Sequence, residues 1–196
     1  MTIEEVLSFW FPDLDPELGT CTPEAAGRWF RKDPAFDAVI AEKFEPLLQS
    51  LPDSWPETPR GRLASILVLD QFPRNLYRGQ ARSFAYDAKA LELCLEGMRL
   101  EQDRALALEE RVFFYLPLEH SEDFEHQKTS LQRFGELVEL APAPVRQRFD
   151  SYLDYARRHA VIIQRFGRYP HRNSILGRPS SPEEAAFLLE PGSSFL

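Results

Sequence analysis

Apolar residues in this chain recur every three or four positions, and nowhere does the two-residue alternation of a half-buried strand persist. That spacing confines the fold to packed helices, because only a 3.6-residue repeat gathers such residues onto one face. Start signals agree with it. Thr2 caps a short helix through Phe11, with Glu4 and Glu5 in its first turn. Thr22-Pro23-Glu24 opens a second helix that ends near Asp33-Pro34, with proline at the favoured first position. A third carries Phe36, Val39, Ile40, Phe44, Leu47 and Leu48 on one side, and residues 50 to 60 form a proline-rich loop.

Arg62 to Phe72 is apolar almost all round and is expected to lie at the centre, ended or kinked by Pro73. Further helices are expected over Ser83 to Leu100, over Leu106 to Tyr115 (stopping before Pro117), and from a Ser121 cap through Leu140. Pro142 to Phe166 forms the last long one. A polar loop from Gly167 to Pro179 precedes a short helix begun by Ser181-Pro182-Glu183-Glu184. The reading is all-α, about eight helices in a single domain over residues 1–196, with no repeat of fixed period.

Composition narrows function mainly by exclusion. With 43% hydrophobic and 28% charged residues the chain is an ordinary globular sequence, and 196 residues suffice for a substantial core. A net charge of -8 argues against nucleic acid and anionic membrane surfaces as partners. No apolar run approaches the length needed to span a bilayer. The start, Met-Thr-Ile-Glu-Glu, lacks the basic and apolar regions of a signal peptide, so a cytoplasmic location is expected. Cys21 and Cys94 stand far apart without a partner motif and read as reduced thiols, with a single disulfide left open. Gly-x-x-x-x-Gly-Lys, Gly-x-Ser-x-Gly, His-Glu-x-x-His and Cys-x-x-Cys are all missing. No cofactor is implied.

The informative polar residues fall in a few places. Between Arg157 and Arg178 lie six arginines, two histidines and no carboxylate. Arg168, Arg172 and Arg178 must therefore find distant acids, which would pin this loop to the helices bearing Asp70 or Glu122, or a bound anion, and His171 and Asn173 share their turn. Arginine's planar fork suits carboxylate and phosphate, although base composition alone also enriches it. Asp70 shares the apolar face of Leu63, Ile66 and Leu67, where a carboxylate needs a partner; Arg74, Asn75 and Arg78 follow it. It is either half of a structural ion pair or part of a ligand-facing network. His159 lies on the stripe of Phe149, Tyr152, Ala156, Ile163 and Phe166, either as a hydrogen-bonded core residue or as a proton carrier facing a pocket. His120 and Glu122 read as helix-start chemistry or as pocket walls. Asp123 and His126 lack the second acid-x-x-His that a di-metal bundle needs, so no metal site is expected.

Four strings together resemble the bacterial family called domain of unknown function 924. They are Trp29-Phe30, Leu69-Asp70-Gln71-Phe72-Pro73-Arg74-Asn75, Tyr115-Leu116-Pro117-Leu118-Glu119-His120-Ser121-Glu122, and Phe166-Gly167-Arg168-Tyr169-Pro170-His171-Arg172-Asn173 with Leu176-Gly177-Arg178. The resemblance implies a right-handed stack of antiparallel helix pairs similar to tetratricopeptide-repeat proteins, and it implies no assigned activity. Three functions stay open. The first is binding of a small carboxylate or phosphate by Asp70, Arg74, Asn75, Arg78, Glu122, Arg168, His171, Arg172, Asn173 and Arg178. The second is a metal-independent hydrolase, lyase or isomerase using His159 or His120. The third is a groove for a peptide.

Overall fold

The computed structural model describes residues 1–195. Among these residues there is no strand, and eight α-helices run for seven residues or more. Helix α1 (Ile3–Trp10) begins with a reciprocal capping box between Thr2 and Glu5. Helices α2 (Pro23–Trp29) and α3 (Pro34–Phe44) each start on a capping side chain followed by proline, Thr22 and Asp33 respectively. A short α4 (Leu47–Ser50) leads into the loop.

The centre is built from two helices buried on nearly every side. The first starts at Thr58 as α5 (Pro59–Ile66), widens into one π turn over Leu67–Gln71, and continues as α6 (Phe72–Leu76). Pro73 was expected to end or kink this helix, but the helix continues. In the π turn the N–H of Phe72 reaches back five residues to the carbonyl of Leu67. That looser winding spares Pro73 the steric clash it meets inside a regular α-helix. The second central helix is α8 (Leu108–His120), and every residue from Glu109 to Glu119 is buried. It too runs through its proline, Pro117, instead of stopping before it. Packing on all sides outweighs the single backbone donor lost.

Around these lie α7 (Asp87–Arg99), α9 (Phe124–Leu140), α10 (Arg146–Phe166) and the short α11 (Pro182–Phe187). Asp123, not Ser121, caps α9, and Ser121 closes α8. Helix α7 packs on α5 and α8, α9 on α8 and α10, and α1 on α5. This succession is compatible with stacked helix pairs. Gly61 is required where α5 passes the loop before it: a Cβ there would sit 2.0 Å from the Trp55 carbonyl oxygen. No helix among the described residues is long and apolar enough to cross a membrane. Cys21 and Cys94 are buried free thiols.

Trp10 is the aromatic hub of the main core. Its ring lies within 6.5 Å of Trp29, Phe36, Phe72 and Phe113, so α1, α2, α3, α6 and α8 meet on one indole. Its carbonyl accepts the Trp29 indole N–H at 2.8 Å, while its own Nε1 has no hydrogen-bond partner among the described residues. Trp10→Ala should therefore cost about 3–5 kcal/mol in chemical denaturation. Trp10→Phe should cost less than half of that, since no hydrogen bond is lost with the indole nitrogen.

Candidate functional site

Helix α10 ends at Gly167, whose φ of +66° turns the chain sharply back towards α8 and α9. This brings the loop after α10 against the end of α8 and the π turn. Three of the sequence strings thereby meet: Asp70 and Arg74 from the central helix, Glu119, His120 and Glu122 from the end of α8, and Tyr169, His171, Arg172 and Arg178 from the loop.

Asp70 is the fully buried origin of the cluster. Its carboxylate takes Nδ1 of His120 at 2.7 Å, the Gln71 amide at 2.5 Å and Arg74 Nη1 at 3.3 Å. Burial alone would push its pKa up, but the charge of Arg74 and the hydrogen bonds from His120 and Gln71 outweigh that and hold the carboxylate ionised. Arg74 also donates to the Asp70 carbonyl and forms a two-pronged pair with Asp87 at 2.8 and 2.9 Å. Asp87 opens α7 and is the acid that sequence reasoning passed over, because an acid in a first helical turn already has an ordinary explanation.

Arg172 shares Asp87 but receives little from it. Its Nη1 is 3.6 Å from a carboxylate already engaged by Arg74, and its Nε is buried with no partner among the described residues. The guanidinium lies between the rings of Phe84 and Tyr169, 4.7 and 4.6 Å from their centroids. Burial and the like charge of Arg74 both push its pKa below the usual value. Beside it, Nδ1 of His171 is also buried without a partner, and burial with the Arg172 charge lowers that histidine to about 4.

The other candidates are placed differently. Asn75 and Arg78 both turn to Asp37 on α3, at 2.7 Å and at 2.9 and 3.0 Å, in a network separate from the Asp70 cluster. Arg168 is taken by Glu184 of α11 at 2.6 and 2.7 Å, and Asn173 contacts Ser180, Glu184 and Arg178. Arg178 clasps Glu122 with two prongs at 2.7 and 2.9 Å, and the Tyr169 N–H adds a third bond to that carboxylate. Burial raises the Glu122 pKa, but these donors more than offset it. The Glu122–Arg178 pair fastens the loop to α9's entrance. Of the arginines singled out, Arg172 alone is left with an unsatisfied buried donor.

His159 is a core residue in this arrangement. Its Nδ1 lies 2.9 Å from the Tyr155 carbonyl and 3.2 Å from Glu119, and burial lowers its pKa to about 3. The ring of Phe195 stacks on it at 3.7 Å and meets His171 edge-on. Phe195 thus roofs both histidines, a role no motif announced. Glu119 carries the opposite shift: burial, then the Asp70 charge, raises its carboxyl to about 8. Burial thus favours the neutral form of both Glu119 and His159. Among the described residues no group of three or more His, Cys, Asp or Glu is arranged to hold a metal ion. Two surface hollows lie away from the cluster, one beside Ile3, Pro59 and Arg60 and the other along Gln147, Ser151 and Tyr155.

A family model described as "Bacterial protein of unknown function (DUF924)" matches residues 6–192. The chain belongs to this family. It is also similar to a solved structure described as a protein of unknown function from Agrobacterium tumefaciens, with 34% identity and a TM-score of 0.76. The match covers 95% of this chain and 96% of that one. No curated protein matches.

Glu119 gives this DUF924 protein a testable pH signature. Below its ordinary value near 4.5 both folded and unfolded chains hold the proton. As pH rises, the unfolded chain releases it first while the folded chain keeps it to about 8, so stability falls across that window. Glu119→Gln removes the titration. The variant should gain on the order of 3 kcal/mol over the wild type between pH 5 and pH 8, measured by denaturant unfolding.

Proposed function

We propose that this protein binds a small carboxylate or phosphate at the Arg172–His171 corner of the buried cluster. The observation that carries the reading is the pair of buried, unpartnered nitrogens, Arg172 Nε and His171 Nδ1. Leaving a buried nitrogen unsatisfied costs about 1–3 kcal/mol, more for a charged donor such as the Arg172 guanidinium, and an anion that accepts from it removes that cost. Asp87 cannot do so, because its carboxylate is already occupied by Arg74. The remaining parts have supporting roles. Asp70 and Asp87 fix Arg74, Glu122 and Arg178 hold the loop, and Tyr169 and Phe84 form walls. The roof is one aromatic ring from the tail, Phe195, and displacement of that ring gives the ligand its space.

The wider setting agrees. Two buried free thiols support a reducing compartment such as the bacterial cytoplasm. The run of successively packed helices supports a tetratricopeptide-repeat-like stack.

Thermal unfolding with inorganic phosphate and a panel of small phosphorylated and carboxylate metabolites tests the binding. A ligand at about a hundred times its dissociation constant should add roughly 2.7 kcal/mol. Arg172→Ala should abolish the shift while the far-ultraviolet dichroism stays helical, and Arg168→Ala should retain it. No shift across the panel, or one that survives Arg172→Ala, would remove the reading.

A further inference from the structure

The cluster contains a second unused group, and it is of a different kind. His120 is the last residue of α8, and its Nδ1 is committed to Asp70 at 2.7 Å. Its other ring nitrogen, Nε2, makes no hydrogen bond among the described residues, although the side chain is only 14% exposed. Asp70 accepts and cannot donate while it is ionised, so the Nδ1 position must carry the hydrogen; burial and the Arg74 charge favour the neutral ring, in which Nε2 presents its lone pair. Neither partner can turn away. Asp70 sits in the π turn and is held by Arg74 and Gln71, and His120 is held at the end of a helix buried on all sides. A carboxylate that fixes the tautomer of a histidine, with the far nitrogen bare, is the arrangement by which proteins prepare an imidazole to accept a proton.

We infer that His120 Nε2 is a proton acceptor for a small anionic compound bound at this cluster, with Asp70 as its positioning residue. For its substrate this inference rests on the anion-binding reading; for its geometry it does not. In the step, the Nε2 lone pair takes a proton from an oxygen or carbon adjoining the compound's anionic group. The electron pair of the broken bond stays on that atom. The imidazolium so formed is stabilised by the Asp70 carboxylate, and the charge left on the compound faces Arg172. Return of the proton from Nε2 resets the pair. No metal or redox partner is needed for this exchange. His159, the other histidine considered, is not placed for the role, since Phe195 stacks on one of its faces, no carboxylate charge supports its protonated form, and burial lowers its pKa to about 3.

An alternative in which Asp70 and His120 form a plain ion pair makes an opposite statement about protons, and this makes the test decisive. In uniformly nitrogen-15-labelled full-length protein at pH 7, proton-acceptor geometry requires a neutral His120 with hydrogen on Nδ1 and none on Nε2. A doubly protonated ring would overturn the inference, as would hydrogen on Nε2. Reactivity gives a second readout: diethylpyrocarbonate should modify His120 in the wild type, and the rate should fall at least tenfold in Asp70→Asn. An unreactive His120, or equal rates in a folded Asp70→Asn protein, would overturn the inference. If that variant does not fold, the wild-type tautomer still decides. Inorganic phosphate should slow the wild-type modification. If the tautomer and the Asp70→Asn effect hold but phosphate gives no protection, the proton acceptor stands and the anion-binding reading falls.

Discussion

A carboxylate kept ionised where no water reaches it is the constraint from which much of this structure follows. Asp70 is wholly buried, and a bare charge there would be untenable. It is tolerated because Arg74, His120 and Gln71 converge on it. Each of those partners then imposes a demand of its own. Arg74 is itself enclosed and needs Asp87, which fixes the start of α7 against the central helix. His120 needs α8 to continue past Pro117 to its last turn. Asp87, once engaged, leaves Arg172 short of a counter-charge, and the loop after α10 carries that shortage into the interior. One buried charge thus organises three helices and a loop.

The same chain of dependence separates scaffold from site. Two-pronged pairs with good geometry, Arg178 with Glu122 and Arg168 with Glu184, secure the C-terminal third to the rest of the molecule. They leave little capacity for anything else. Arg172 differs because aromatic faces, not acids, enclose it. Aromatic walls hold a guanidinium in place without filling its hydrogen-bonding positions, so the group keeps its capacity for a ligand.

Much of this was legible in the residues. Caps at Thr2, Thr22 and Ser181 marked helix starts because a side-chain oxygen followed by acids or proline is a local signal. The central position of the Arg62–Phe72 segment followed from its lack of a polar face. Pro73 and Pro117 misled, since a local breaking preference yields when winding loosens or when packing encloses the helix. Asp70 and Glu122 stood out as acids that could hold arginines, and they do so for Arg74 and Arg178. The other partners were not legible: Asp37, Asp87 and Glu184 lie 13 to 41 residues from the arginines they bind, and only the tertiary fold selects among so many acids. Phe195 carried no signal, because a lone aromatic near a chain end has no periodicity to read.

The π turn at Leu67–Gln71 has a consequence for how this sequence can change over time. It places one residue more in the helix than regular winding would hold, so the halves before and after it are indexed independently. Loss of a single residue from that turn would restore ordinary winding and leave Arg74 facing as it does relative to Leu63 and Ile66, whereas a residue gained or lost in the regular winding beside it would turn Arg74 by about 100°. The turn is therefore the place where this helix can change length without re-aiming its two halves.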